Sequence, residues 1–238
     1  MNADCLREAL FDPKLVAELR IAAETPECVI FKMKHSRYWV RIPKIPTNEI
    51  AYLAGAIAGD GNLPVVARKK VIFPTVRIRI YKKSVKYLIQ VRESFRSEFQ
   101  VDGRIHANYK KRCPFLCVDN KVVFLYFSRF LGINKKQLFI PIQLKNKDLF
   151  RHFLAGFFDT DGFRTHSFGM MLGAQSLAFM RELKDYCLIE YNLHFGKIGE
   201  NTLNVNGKDY FRCQMLLKKS DENLFVQTIP LRHERWAR

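Results

Sequence analysis

Apolar residues recur at helical spacing in two short segments and at alternating spacing in the stretches after each. Ile50, Leu53 and Ile57 fall at three- and four-residue steps, one face of a helix, with Thr47 or Asn48 available as N-cap and Gly61 placed to end it as a left-handed cap. A second such segment starts at Asn146, runs through Phe150, Phe153, Leu154 and Phe157, and closes at Gly162. After the first come strand-like residues 63–68 and 71–81, then Ser84 as cap of a helix carrying Val85, Leu88, Ile89, Phe95 and Phe99. After the second come residues 163–166 and 170–175, then Ser176 and a helix with Leu177, Met180, Leu183, Cys187 and Tyr191. Ser84 follows Asp60 by 24 residues and Ser176 follows Asp161 by 15, so the first hairpin is the longer one.

Each half then shows a second strand pair, residues 104–110 with 115–118 and residues 197–206 with 210–215, followed by an apolar helix around 122–131 and around 224–229. One order of elements therefore occurs twice, which predicts an α+β protein of two pseudo-symmetric αββαββα halves with antiparallel sheets. The division is residues 49–145 and 146–238, preceded by an extension over 1–48 in which 6–21 reads as helix and 28–42 as strand.

An apolar fraction of 48% with 26% charged residues is that of an ordinary globular protein, so disorder is not expected. Forty Lys and Arg against 23 Asp and Glu leave a formal charge of +17, which points to a polyanionic partner, with nucleic acid ahead of an acidic membrane surface. No uninterrupted apolar run is long enough to span a bilayer. The six cysteines include no CxxC pair and no secretory apolar stretch follows Met1, so an intracellular setting is expected, the cytoplasm of a prokaryote or an organelle. Cys113 and Cys117, spaced like metal ligands but without partner His or Cys nearby, read as core thiols.

The chemistry sits where the two helices end. An aspartate there meets the negative end of the helix dipole, at a cost of about 0.3–1 kcal/mol in an exposed site, so stability alone would place a Lys. Gly55 and Gly59 lie four apart, as do Gly156 and Thr160, giving each helix a stripe of small residues that lets another backbone approach closely. Facing stripes would bring Asp60 and Asp161 side by side, where like charges raise each other's pKa unless a cation intervenes. Mg²⁺ or Mn²⁺ suits two carboxylates open to water and phosphate, and could activate water for attack on phosphorus. A lone Asp-Gly would be only a helix-stop turn; two copies on small-residue helices favour the metal reading. Asp159, matched by Ala58 in the first copy, reads as a supporting polar residue.

The two segments, Leu53-Ala54-Gly55-Ala56-Ile57-Ala58-Gly59-Asp60-Gly61 and Leu154-Ala155-Gly156-Phe157-Phe158-Asp159-Thr160-Asp161-Gly162, resemble the doubled signature of the single-chain LAGLIDADG homing endonucleases. The resemblance covers about residues 49–238. It implies a site-specific, metal-dependent double-strand DNA endonuclease with short 3′ overhangs, its motif helices forming the interface between halves, acting as an intron-encoded monomeric pseudo-dimer. It assigns metal binding to Asp60 and Asp161, with Gly59 and Thr160 beside them. Basic and polar residues around the metal centre fall by the same match at Lys82, Lys83 and Gln175, then at Lys135, Lys136 and Arg232. Lys136 or Lys135 is the chosen candidate to orient water or neutralise charge at phosphorus, the alternative being a solvent-exposed pair. An RNA maturase acting on its own intron RNA, or a non-cleaving DNA-binding regulator, is the competing function.

Alternation along 76–82 places Arg77, Arg79 and Tyr81 on one strand face, with Lys82 at its end. The same period groups Arg104, His106, Asn108 and Lys110, and in the second half Thr202, Asn204 and Asn206, with Arg164 and Arg212 as further basic candidates. Such faces suit a β-ribbon in the major groove, where Arg reads guanine and Asn reads adenine; the alternative is a solvated sheet face. Unequal hairpins predict a long, asymmetric site.

Overall fold

A computed structural model describes residues 19–33, 38–63, 65–66, 75–107, 113–133, 138–165, 169–205 and 207–236. Lys135, Lys136, Asn108, Lys110 and Asn206 lie outside the described residues. The strands are β1 (Leu19–Glu24), β2 (Cys28–Met33), β3 (Trp39–Pro43), β4 (Gly61–Asn62), β5 (Val65–Val66), β6 (Thr75–Val76), β7 (Ile78–Tyr81), β8 (Arg104–His106), β9 (Phe115–Val118), β10 (Gly162–Thr165), β11 (Gly169–Ala174), β12 (Gly199–Val205) and β13 (Lys208–Leu216). The helices are α1 (Asn48–Ala58), α2 (Val85–Phe99), α3 (Lys121–Leu125), α4 (Lys147–Asp161), α5 (Leu177–Tyr191) and α6 (Glu222–Thr228). The fold is α+β. Two four-stranded antiparallel sheets have the orders β4-β7-β9-β8 and β10-β11-β13-β12, so each strand of one has a counterpart at the same place in the other.

The N-caps follow the sequence chemistry. Thr47, Ser84, Asn146 and Ser176 each accept a hydrogen bond from the backbone N–H three residues on, satisfying one of the orphan donors at a helix start. Every residue of α1 from Ile50 to Ala58 is buried, because this helix is covered by α4 on one side and by its own sheet and α2 on the others.

α1 and α4 meet backbone to backbone. A Cβ placed on Gly55 would clash with the Phe153 carbonyl and lie 2.7 Å from the Phe157 nitrogen; one on Gly156 would clash with the Tyr52 carbonyl and lie 2.9 Å from the Ala56 nitrogen. The contacts are reciprocal, as a two-fold relation requires. One turn further along, Gly59 packs on the Thr160 side chain.

Three features depart from the sequence reading. Gly61 and Gly162 are not left-handed caps: α1 ends at Gly59 with φ −76°, and Gly162 is extended at φ −73°. Their lack of a side chain serves packing, since a Cβ would strike the carbonyl four residues back, of Ile57 and of Phe158. The helix expected over 122–131 is α-helical only to Leu125 and continues as a π-helical turn, Tyr126–Phe130, which lets Tyr126 and Phe127 both pack edge-on against Phe99. Residues 19–24, expected in part as helix, are strand β1, the edge of a three-stranded sheet whose strand β3 packs on α2 and α3. None of the described cysteines forms a disulfide; Cys117 is buried, whereas Cys113 is exposed and not a core thiol.

Candidate functional site

Because α1 and α4 end together, Asp60 and Asp161 line one cavity of about 470 Å³. Gly59, Gln175 and Arg212 line it too, Gln175 from the residue after β11 and Arg212 from β13. A Cβ on Gly59 would sit 3.3 Å from Asp161 Oδ2, so the second carboxylate lies against the end of the first helix. Lys82, the residue after β7, reaches into the same place: its ammonium donates to Asp60 Oδ2 at 2.9 Å and to the Thr160 carbonyl. One ammonium is thus shared between the carboxylate that ends the first motif and a main-chain carbonyl at the end of the second.

Among the described residues no three His, Cys, Asp or Glu side chains converge as a metal cluster. The protein donors available here are therefore two carboxylates and helix-end carbonyls. That set fits a hard divalent cation that keeps most of its ligands as water and phosphate, and does not fit a closed structural cage.

The helix ends are balanced by cations from elsewhere in the chain. Arg235 donates to the carbonyls of Phe158 (3.0 Å), which also accepts the Gly162 N–H, and of Asp159 (2.7 Å), and Lys82 takes that of Thr160, so the orphan carbonyls of Asp159 and Thr160 in α4 are both satisfied. Burial pulls the Arg235 guanidinium below its ordinary pKa, while Asp159, Asp60 and Asp161 act to keep it charged. The sequence signals Arg235 only as one basic residue in the segment after α6, where the family match points to Arg232 instead. Arg232 pairs bidentately with Glu49 (2.6 and 2.7 Å), lies over the Tyr52 ring at 4.0 Å, and is not among the residues lining the cavity of Asp60 and Asp161.

Asp159 is fully buried behind the site. Tyr52 donates to it at 2.7 Å, the Arg232 backbone N–H donates at 2.7 Å, and Tyr52 also bonds Tyr87. Burial pushes its carboxyl pKa up, opposed by these hydrogen bonds. Tyr87 stacks on His233, whose Nδ1 accepts from the Arg235 backbone N–H. This network ties α1, α2, α4 and residues 232–235 into one unit.

The sheets present the basic groups. In the first half, register aligns Arg79 with Cys117 and Arg104, and Tyr81 with Phe115 and His106, all on the face opposite the buried Ile78, Ile80 and Leu116. Phe115 is the centre of this face: Tyr81 and His106 pack on it at 5.2 and 4.6 Å and the Arg79 guanidinium lies 5.7 Å from its ring. Arg77 is held by Asp119 at 2.7 Å. In the second half Arg212 shares its face with Phe163, Gly173 and Asn201. Arg164 and Asn204 are on the other face of their strands: Arg164 pairs with buried Met170 and is bound by Glu222 at 2.9 Å, and Asn204 pairs with Asp209 in the β12–β13 ribbon. The physical reason is the two-residue period of a strand, in which a one-residue offset reverses the face.

No protein-family model matches the sequence, and no curated protein matches it. Solved structures do. The chain is similar to I-DmoI in complex with DNA and Mn, at 20% identity and a TM-score of 0.58, over 76% of this chain and 96% of that one. Against I-DmoI in complex with DNA and Ca the identity is 22% at the same TM-score, over 76% and 88%. It is also similar to full-length WhiA from Thermatoga maritima, at 14% identity and a TM-score of 0.53, over 80% of this chain and 59% of that one. At these identities the likeness is one of fold.

Proposed function

We propose, from the premise that this chain carries the LAGLIDADG homing-endonuclease fold as two repeats on one polypeptide, that it is a site-specific DNA endonuclease cutting both strands of a long, asymmetric duplex and leaving short 3′ overhangs. The observation that carries the reading is the pairing of Asp60 with Asp161 in one cavity at the ends of two touching helices. In this reading Asp60, Asp161 and the helix-end carbonyls of Gly59 and Thr160 hold Mg²⁺ or Mn²⁺. The ions would supply an activated water and charge stabilisation at the leaving oxygen. Gln175 and Lys82 orient water and phosphate from either side, and Arg235 keeps the α4 carbonyls from repelling the incoming phosphate. The same reading puts the duplex along Arg79, Tyr81, Arg104 and His106 on one sheet and Arg212 and Asn201 on the other. Net charge of +17 supports it, as does the presence of DNA and divalent ions in the I-DmoI complexes.

Selecting cleaved sequences from a randomised duplex library supplies the substrate. Asp60→Asn and Asp161→Asn should then abolish double-strand cutting in Mg²⁺ and keep duplex binding in Ca²⁺. Undiminished cutting by either variant removes that residue from the mechanism. Duplex binding by the wild-type chain with no cleavage in any library would make it a DNA-binding regulator instead.

A further inference from the structure

The two halves of the candidate metal site are not chemically equal. After β7 stands Lys82; after its counterpart β11 stands Gln175, a neutral amide that is exposed. The Lys82 side chain is only 11% exposed and spans from the first repeat to the second, bonding Asp60 Oδ2 and the Thr160 carbonyl together. These are hard oxygen donors, the kind a divalent ion takes. An ammonium and a divalent cation cannot share them, since like charges in contact repel strongly in a partly buried site.

We propose that Lys82 is a tethered counter-cation that occupies the Asp60 half of the metal site while no metal is bound, and that a divalent ion enters this half only by displacing it. The inference rests on the reading of Asp60 and Asp161 as metal-holding residues. An ammonium on a four-carbon stem suits this role, because it is compact, reorients its three donors freely, and can swing to a phosphate oxygen when it leaves. The consequence is that filling of the Asp60 half waits on Lys82, which leaves as substrate phosphate offers it another partner. A second consequence is that the metal-free protein does not carry a bare Asp60 carboxylate at its centre.

The test is Mn²⁺ binding followed by calorimetry on the full metal-free chain, without DNA, together with thermal unfolding in chelator. The wild-type chain should show two unequal steps. Lys82→Gln should tighten the weaker step by about tenfold or more, since a charge-assisted contact no longer competes. It should also melt lower in chelator and gain more from added Mn²⁺. Lys82→Arg should keep the weak step weak, and Asp60→Asn combined with Lys82→Gln should erase the gain. If Lys82→Gln titrates like wild type while Asp60→Asn and Asp161→Asn each lose a step, the role given to Lys82 is overturned and the metal reading stands. If neither Asp variant changes Mn²⁺ binding, the metal reading fails and the proposal with it.

Discussion

The close approach of α1 and α4 can be tested by adding one methyl group. In an exposed helix Gly→Ala stabilises by about 1 kcal/mol. At Gly55 the new Cβ would clash with the Phe153 carbonyl and stand 2.7 Å from the Phe157 nitrogen, both backbone atoms that cannot rotate away. Restoring ordinary contact to that nitrogen alone separates the helices by roughly 0.7 Å, and a gap of this size forfeits about a quarter to a half of each dispersion contact across it. For the contacts of a single Leu-sized side chain that is about 2 kcal/mol, and Tyr52, Phe153 and Phe157 all lie along the crossing. Gly55→Ala should therefore destabilise by about 2–3 kcal/mol net, lowering the melting temperature by roughly 4–12 °C for a chain of this size. Gly156→Ala should do the same. Because the contacts are reciprocal, the helices part only once, and the double variant should cost less than the sum of the singles by about 1 kcal/mol. Urea unfolding of the four proteins measures all three quantities. A neutral or stabilising single variant, or additivity within about 0.3 kcal/mol, would show that the crossing is soft and the reasoning wrong.

Arg232→Ala leaves the half-buried Glu49 without its bidentate partner and uncovers Tyr52; unfolding should show a loss of about 1–2 kcal/mol that Lys at 232 fails to restore, because only the planar guanidinium fits both roles. Burial, with Arg235 nearby, pulls the His233 imidazole down to about 4, below its unfolded value of 6.5. The unfolded chain then takes up the proton first, so this contribution to stability is whole above pH 6.5 and is lost as pH falls toward 4. His233→Asn should flatten the decline in urea midpoint between about pH 7 and 4.5, and an unchanged slope would exclude His233 as its source. Phe115→Ala should weaken duplex binding several-fold at a temperature where the variant stays folded, since the ring props Arg79, Tyr81 and His106 at the surface; Arg79→Ala should in addition lower the salt dependence of binding by about one ion.

The motif helices were legible because small residues at four-residue spacing, an N-cap and a terminal Asp are local signals, and Gly55, Gly156, Asp60 and Asp161 stand as their spacing implied. The order of elements was legible too, through hydrophobic period and capping Ser84 and Ser176. Features set by residues distant in sequence were not. Nothing near Lys82 announces that it will cross to the carbonyl of Thr160, and nothing near Arg235 announces Phe158 and Asp159, because those contacts follow from how the halves dock. Gly61 and Gly162 mislead for a related reason: glycine after a helix usually signals a left-handed turn, whereas here it answers to a crowding carbonyl. In the second sheet it is strand pairing that sets Arg164 and Asn204 on the face opposite Arg212, a relation the sequence did not address.

The reciprocal seating of Gly55 and Gly156 also bears on how such a molecule can change. The halves are joined by the main-chain crossing and by buried or part-buried side chains such as Lys82, Tyr52 and Arg232, whereas Arg79, Arg104 and Arg212 have no part in that junction among the described contacts. Either outer sheet face can drift by substitution without its neighbour having to follow. If the proposed function holds, a designer could rewrite Arg79, Arg104 or Arg212 and leave the central seam of the molecule as it is.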